Sequence, residues 1–192
     1  RARPEWAFLQ FLQRRHGLSF RLAPATGGME QLAADATAIQ QGYFVAEPYY
    51  LEQLGVQLRW LHVWDAGYDG ISAVVANRDF ARNHPEKLEA FMRAYYRGQV
   101  AYFEGDPELA HRRMLELNPS ATESFLTWSR ERIIEQRIAI GVVARGSDSG
   151  YLKVSAARIE KQIAQLLELG LLPEGRVTVD RVWMPVNLPE RY

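Results

Sequence analysis

The chain has 192 residues, 47% of them apolar and 24% charged, with 23 basic residues against 23 acidic ones. That balance argues against nucleic acid or an anionic membrane as a partner, and no apolar run approaches the roughly 18–20 residues a membrane span needs. Cysteine is absent, which excludes disulfides, thiolate metal sites and cysteine nucleophiles, and fits an exported protein without requiring one. Arg1-Ala2-Arg3-Pro4 lacks the apolar core of a signal peptide, so the expectation is a start at a processed end or inside a longer protein.

Pro4 opens a helix in which Trp6, Phe8, Leu9, Phe11 and Leu12 are apolar, and Gly17 closes it after Arg14, Arg15 and His16. Basic residues there suit the negative end of the helix dipole. Ser19 to Pro24 alternates Phe20 and Leu22 with polar residues and reads as a strand. Ala25 to Gly28 is a loop, and Met29 to Gln41 has the spacing of a helix with Leu32, Ala36 and Ile39 inward. Gly42 ends that helix, and Tyr43 to Ala46 is an apolar run of strand length. Pro48 then sits where a new helix begins, since its missing N–H has no intrahelical partner to lose there, and Gly55 stops it. Glu47 thereby falls at the carboxyl end of a strand, the place where open α/β sheets hold ligands.

Val56 to Trp64 and Ile71 to Ala76 read as two further strands, joined by the glycine-containing Asp65 to Gly70. Alternating helices and strands predict a mostly parallel sheet. After Asn77 the pattern turns helical. A helix from Asn83-His84-Pro85-Glu86 carries Leu88, Phe91, Met92, Tyr95 and Phe103 up to Gly105, and a second runs from Pro107 to the break at Asn118-Pro119. A third spans about Thr122 to Ile140. After the loop Gly141 to Gly150, a fourth covers Ser155 to Leu169 and stops at Gly170. Val177 to Trp183 is strand-like, with Pro185 and Pro189 beyond it. Amphipathic helices need a surface to cover, so strands upstream of Arg1 are expected beneath Leu88–Phe103 and Ile159–Leu167.

Glu47 is the leading candidate contact. It either accepts hydrogen bonds from a ligand N–H or O–H, or stabilises the following helix N-terminus by about 0.3–1 kcal/mol. As a ligand contact it disfavours a bare anion, because like charges desolvated together are costly, and points to a heterocycle, an amine or a cation. Tyr43, Tyr49 and Tyr50 offer either a stacking wall with a polar tip or ordinary packing. Gly27 and Gly28 either present backbone N–H groups to an anion or simply make a turn. His16, His62, His84 and His111 share no metal-ligand spacing and no recognisable catalytic interval, so all four are expected to be structural or at the surface. No metal and no cofactor are expected. Arg130, Glu131, Arg132 and Glu135 read as a solvated helix face.

Four segments carry a resemblance to a known family: Ala38-Ile39-Gln40-Gln41-Gly42-Tyr43-Phe44-Val45-Ala46-Glu47-Pro48; Ala73 to Glu86; Leu88-Glu89-Ala90-Phe91-Met92-Arg93-Ala94; and the closing Gly150-Tyr151…Leu169-Gly170-Leu171-Leu172. In order and spacing, from about Trp6 to Pro189, they resemble the type II periplasmic substrate-binding proteins serving nitrate, sulfonate, taurine and thiamine-precursor ABC transporters. The resemblance implies an α/β fold, periplasmic-binding-protein type II-like and partial. Residues 1–65 would form most of the second lobe, 66–77 a hinge crossover and return strand, and 78–192 the helical half of the first lobe. A small molecule would be trapped between the lobes, with Trp64 and Asp69 at the hinge and cleft rim; their alternatives are a core residue and a turn former. The implied function is an extracytoplasmic or periplasmic solute receptor, at most peripheral to the membrane and compatible with a lipid anchor, that delivers its ligand to an ABC permease without catalysis. Two alternatives stand beside it: an enzyme on the same fold, of the menaquinone- or pyrimidine-pathway type, and a ligand-sensing domain of a larger receptor.

Overall fold

The computed structural model describes residues 6–21, 29–68, 70–71, 73–136, 154–186 and 188. Among them the chain forms nine helices: α1 (Ala7–His16), α2 (Glu30–Ala34), α3 (Glu47–Gln53), α4 (Arg78–Asn83), α5 (Pro85–Glu104), α6 (Glu108–Leu117), α7 (Glu123–Glu135), α8 (Ala156–Glu168) and α9 (Val179–Val182).

The helix boundaries follow from local chemistry. Gly17 closes α1 in the left-handed region at φ 60°, a conformation that costs glycine little. Thr122 caps α7 by accepting from Phe125 N–H at 3.2 Å, and Ser155 caps α8 by accepting from Arg158 N–H at 3.3 Å. At the other end of α8, Gly170 N–H reaches Leu167 O and Leu171 N–H reaches Leu166 O, both at 2.9 Å. That pair of bonds satisfies two carbonyls the helix would otherwise leave open. α4 was not anticipated; Asn77 starts it, its side chain accepting from Asp79 and Phe80 N–H. α2 is much shorter than the expected Met29–Gln41. Asp35 Oδ1 accepts from both the backbone N–H (2.8 Å) and the hydroxyl (2.7 Å) of Thr37, and this turn competes with helix propagation. The same two bonds hold the Asp35 carboxyl below its ordinary pKa.

The α/β expectation is overturned: the described residues contain no strand and no sheet. Tyr43–Ala46 is a turn leading into α3, closed by Ala46 N–H on Tyr43 O at 2.9 Å. Val56–Leu61 takes no regular form, and Val63–Gly67 turns back on itself through Gly67 N–H to Trp64 O and Tyr68 N–H to Val63 O. The described part of Ile71–Ala76 is also irregular, and the strand-like tail contains α9 instead. Of Ser19–Pro24 only residues 19–21 are described, without regular structure. The physical reason is that a strand's N–H and C=O groups need a neighbouring strand, and none is present among the described residues. Val74 and Val75 accordingly stand 48% and 90% exposed.

The chain divides into two units. The first comprises Arg1–Gly42, Tyr50–Ser72 and Ser155–Met184. Among the described residues its buried side chains are Phe11, Leu51, Gln165 and Leu169. Here the turn around Gly67 is gripped from two helices. From α1, Phe11 packs on Tyr68 with centroids 5.5 Å apart and His16 Nε2–H donates to Ala66 O at 2.8 Å. From α8, Gln165 Nε2 donates to Gly67 O at 2.8 Å and Arg158 Nη2 to Gly70 O at 3.3 Å. Arg14 ties the helices together by donating to Glu168 O at 2.9 Å. Burial raises the Tyr68 phenol pKa, partly offset by a hydrogen bond with Gln162.

The second unit comprises Tyr43–Tyr49, Ala73–Val154 and Pro185–Tyr192. Tyr96, His111 and Leu126 are buried in it, from α5, α6 and α7, and Pro48 is fully enclosed. Arg130 of α7 closes the end of α5: Nε donates to Tyr102 O at 2.7 Å and Nη2 to Phe103 O and Gly105 O at 3.0 and 3.1 Å.

Candidate functional site

The turn 43–46 and the start of α3 lie against α7, and both belong to the second unit. Glu47 is the first residue of α3 and is half-buried. Its Oε2 accepts from the backbone N–H of Tyr43 at 2.5 Å, which turns the carboxylate back over the loop that precedes it. Tyr49, two residues on, is held by α7: its hydroxyl shares a 2.7 Å hydrogen bond with Ser124, and its ring meets Phe125 and Trp128 at 5.4 and 5.6 Å. Ser129 donates to Val45 O at 2.8 Å. The guanidinium of Arg132 lies 4.7 Å from the Phe44 ring centroid and 5.6 Å from that of Trp128, within the range where a cation is drawn to an aromatic face.

The sequence-selected residues are placed as follows. Tyr43, Glu47 and Tyr49 share this segment; Tyr43 is 68% exposed, and Tyr49 contributes its ring to the packing with α7. Trp64 belongs to the first unit, 41% exposed, with its ring stacked on His62 at 4.1 Å and 12°. Gly27, Gly28 and Asp69 lie outside the described residues. Tyr50 is 44% exposed and falls in the first unit.

Two arrangements escaped the sequence reading. One is an open hollow of about 410 Å³ on the last turns of α7, lined by Trp128, Glu131, Arg132, Ile134 and Glu135. These charged residues are not merely a solvated face, because Arg132 also carries the cation–aromatic contacts and its Nε is buried with no hydrogen-bond partner among the described residues. The other is a chain of polar groups centred on a buried histidine. His111 is 2% exposed; Nδ1–H donates to Glu123 Oε1 at 2.5 Å, and Nε2 meets the Tyr102 hydroxyl at 3.1 Å. Burial raises the Tyr102 phenol pKa, Arg130 nearby pulls it back down, and the Glu123 charge pushes it up. The group fastens α5, α6 and α7 together and is closed to solvent at its centre, so it supports packing rather than turnover. No local spacing announces it, since the partners stand nine residues before and twelve after His111. Among the described residues no cluster of His, Asp or Glu could hold a metal ion, and no helix is long and apolar enough to cross a membrane.

Comparison with known proteins places the chain in a class made up mostly of binding proteins, with some enzymes among its members. The family model described as NMT1/THI5 like matches residues 8–110, more than half of the 192, and the chain belongs to that family. The matched stretch contains the segments Ala38–Pro48, Ala73–Glu86 and Leu88–Ala94, while Gly150–Leu172 lies beyond it. Membership supports solute binding or a related function and gives no catalytic evidence. No curated protein and no solved structure matches.

Proposed function

We propose that this chain is the solute-binding component of an ABC importer, working outside the cytoplasm, and that Glu47 is its principal polar contact to a small organic ligand. The observation that supports this is the geometry of Glu47 within the family-matched region. Tyr43 N–H holds Oε2, which fixes the carboxylate in one orientation before any ligand arrives. A fixed acceptor suits a ligand that brings an N–H or O–H donor or a positive charge: an aminopyrimidine, another nitrogen heterocycle or an amine. It is unfavourable for nitrate or a sulfonate, whose charge would meet a carboxylate already half-withdrawn from water. Exposed Tyr43 supplies an aromatic surface beside it.

The test is a thermal-shift and calorimetric screen of the intact protein with aminopyrimidines, flavins, aromatic carboxylates, methanesulfonate and nitrate. A donor-bearing heterocycle or amine should stabilise the protein, and Glu47→Gln should weaken its binding about 10–100-fold, the loss of one charge-assisted hydrogen bond. Binding confined to nitrate or methanesulfonate, or a Glu47→Gln protein that binds as tightly as wild type, refutes the assignment.

A further inference from the structure

The family-matched segment ends at residue 110, yet the turn that carries Glu47 is held by α7, which begins at Glu123. Three contacts secure it, from residues that share one face of α7 at positions i, i+1, i+4, i+5 and i+8. Ser124, Phe125 and Trp128 hold Tyr49, Ser129 holds the carbonyl of Val45, and Arg132 lies over Phe44. Thr122 extends the first of these, its hydroxyl 3.1 Å from that of Ser124. Phe44 and Val45 precede Glu47 and Tyr49 follows it, so the carboxylate is pinned from both sides. The span of 84 residues between Val45 and Ser129 makes this a tertiary constraint and not a property of the turn.

Resting on the reading of Glu47 as the ligand contact, we propose that α7 is the positioning element of that site, with Ser129 as its key residue. Ser129 does not reach the ligand. It sets the turn 43–46, through which the Tyr43 N–H is presented to the Glu47 carboxylate. Without the Ser129 hydroxyl, Val45 O loses its donor and the turn gains freedom, and the ligand then has to order what the free protein held ready.

Amide hydrogen exchange on the full chain tests the proposal without any ligand. Ser129→Ala should speed exchange at Tyr43 and Ala46 about tenfold, the loss of roughly one hydrogen bond from a local opening equilibrium, while amides of α5 and α6 keep their rates. Ser129→Thr, which keeps a hydroxyl, should restore protection. Unchanged exchange at Tyr43 and Ala46, or an increase spread equally over α5 and α6, overturns the positioning role. Calorimetry with an aminopyrimidine forms the second arm. A weaker association constant in Ser129→Ala, recovered in Ser129→Thr, extends the positioning role to ligand binding, and equal affinity in all three proteins overturns that role. Failure of the wild-type protein to bind the probe counts against Glu47 as a ligand contact, while the exchange result still decides whether α7 positions the turn.

Discussion

Replacing Arg130 with Met should destabilise the protein by about 3–4 kcal/mol. An α-helix leaves its last four carbonyls without intrahelical donors. In α5 those belong to Ala101, Tyr102, Phe103 and Glu104. Gly105 N–H takes the first at 3.0 Å, and Arg130 takes the next two together with Gly105 O. Three charge-assisted hydrogen bonds are lost in the variant. Each is set at about 1 kcal/mol net, below the usual charged-group value, because the carbonyls are only partly buried and water can replace the donor. Removing a cation from the negative end of the helix dipole adds about 0.3–1 kcal/mol. The methionine side chain retains the apolar contact with the Tyr102 ring, over which the guanidinium sits at 5.8 Å. For a chain of this length the melting temperature should fall by roughly 6–16 °C. Arg130→Lys should recover less than half of the loss, because an ammonium cannot reproduce the planar fork. Arg113→Met is the control: Arg113 pairs with Glu116 at 2.7 Å, but both side chains are more than half exposed, so the change should stay within about 1 kcal/mol. Urea unfolding followed by circular dichroism reads all three. An Arg130→Met protein within 1 kcal/mol of wild type, or indistinguishable from Arg113→Met, would refute the capping argument.

Two further outcomes are expected. Burial raises the phenol pKa of both Tyr68 and Tyr102, so the folded protein holds these protons more tightly than the unfolded chain does. Their ionisation adds no pH dependence below about pH 10 and lowers stability as pH rises above it; ultraviolet difference absorbance should show at least two late-titrating tyrosines, and a titration in which every tyrosine ionises at the free value would contradict their burial. Gly105→Ala should cost about 1–3 kcal/mol in denaturant unfolding, because the new Cβ would lie 2.6 Å from Ala101 O, a backbone atom that cannot swing aside; a neutral substitution would show that the end of α5 yields freely.

The helices were largely legible in the sequence because their signals are local. Pro85, Thr122, Ser155 and Gly170 act within a few residues of themselves, and each sits at a helix end. The strands were not, because alternation such as Val56-Gln57-Leu58-Arg59-Trp60 describes a face that could be covered and says nothing of the partner that must cover it. Asp35 and Asn77 show a subtler failure: a side chain bonding backbone two or three residues away ended one helix and began another, where apolar periodicity alone extended the first and omitted the second. At the candidate site, the sequence singled out Glu47 and Tyr49 but gave no hint that Ser129 and Arg132 hold their neighbourhood, and it set His111 aside among the structural histidines without its partners Tyr102 and Glu123. All of those pairings join residues too far apart along the chain for spacing to reveal.

The hydrogen bond from Arg14 to Glu168 spans 154 residues, and with it the grip of α1 and α8 on the turn around Gly67 has a consequence for biogenesis. On a ribosome, α1 emerges long before α8 and then waits, its apolar side uncovered, until α8 has followed it. Closing so long a loop is slow compared with forming any single helix. The interval between the two is when a chaperone would find Phe11 available, and when a chain cut short before α8 would be recognised as defective.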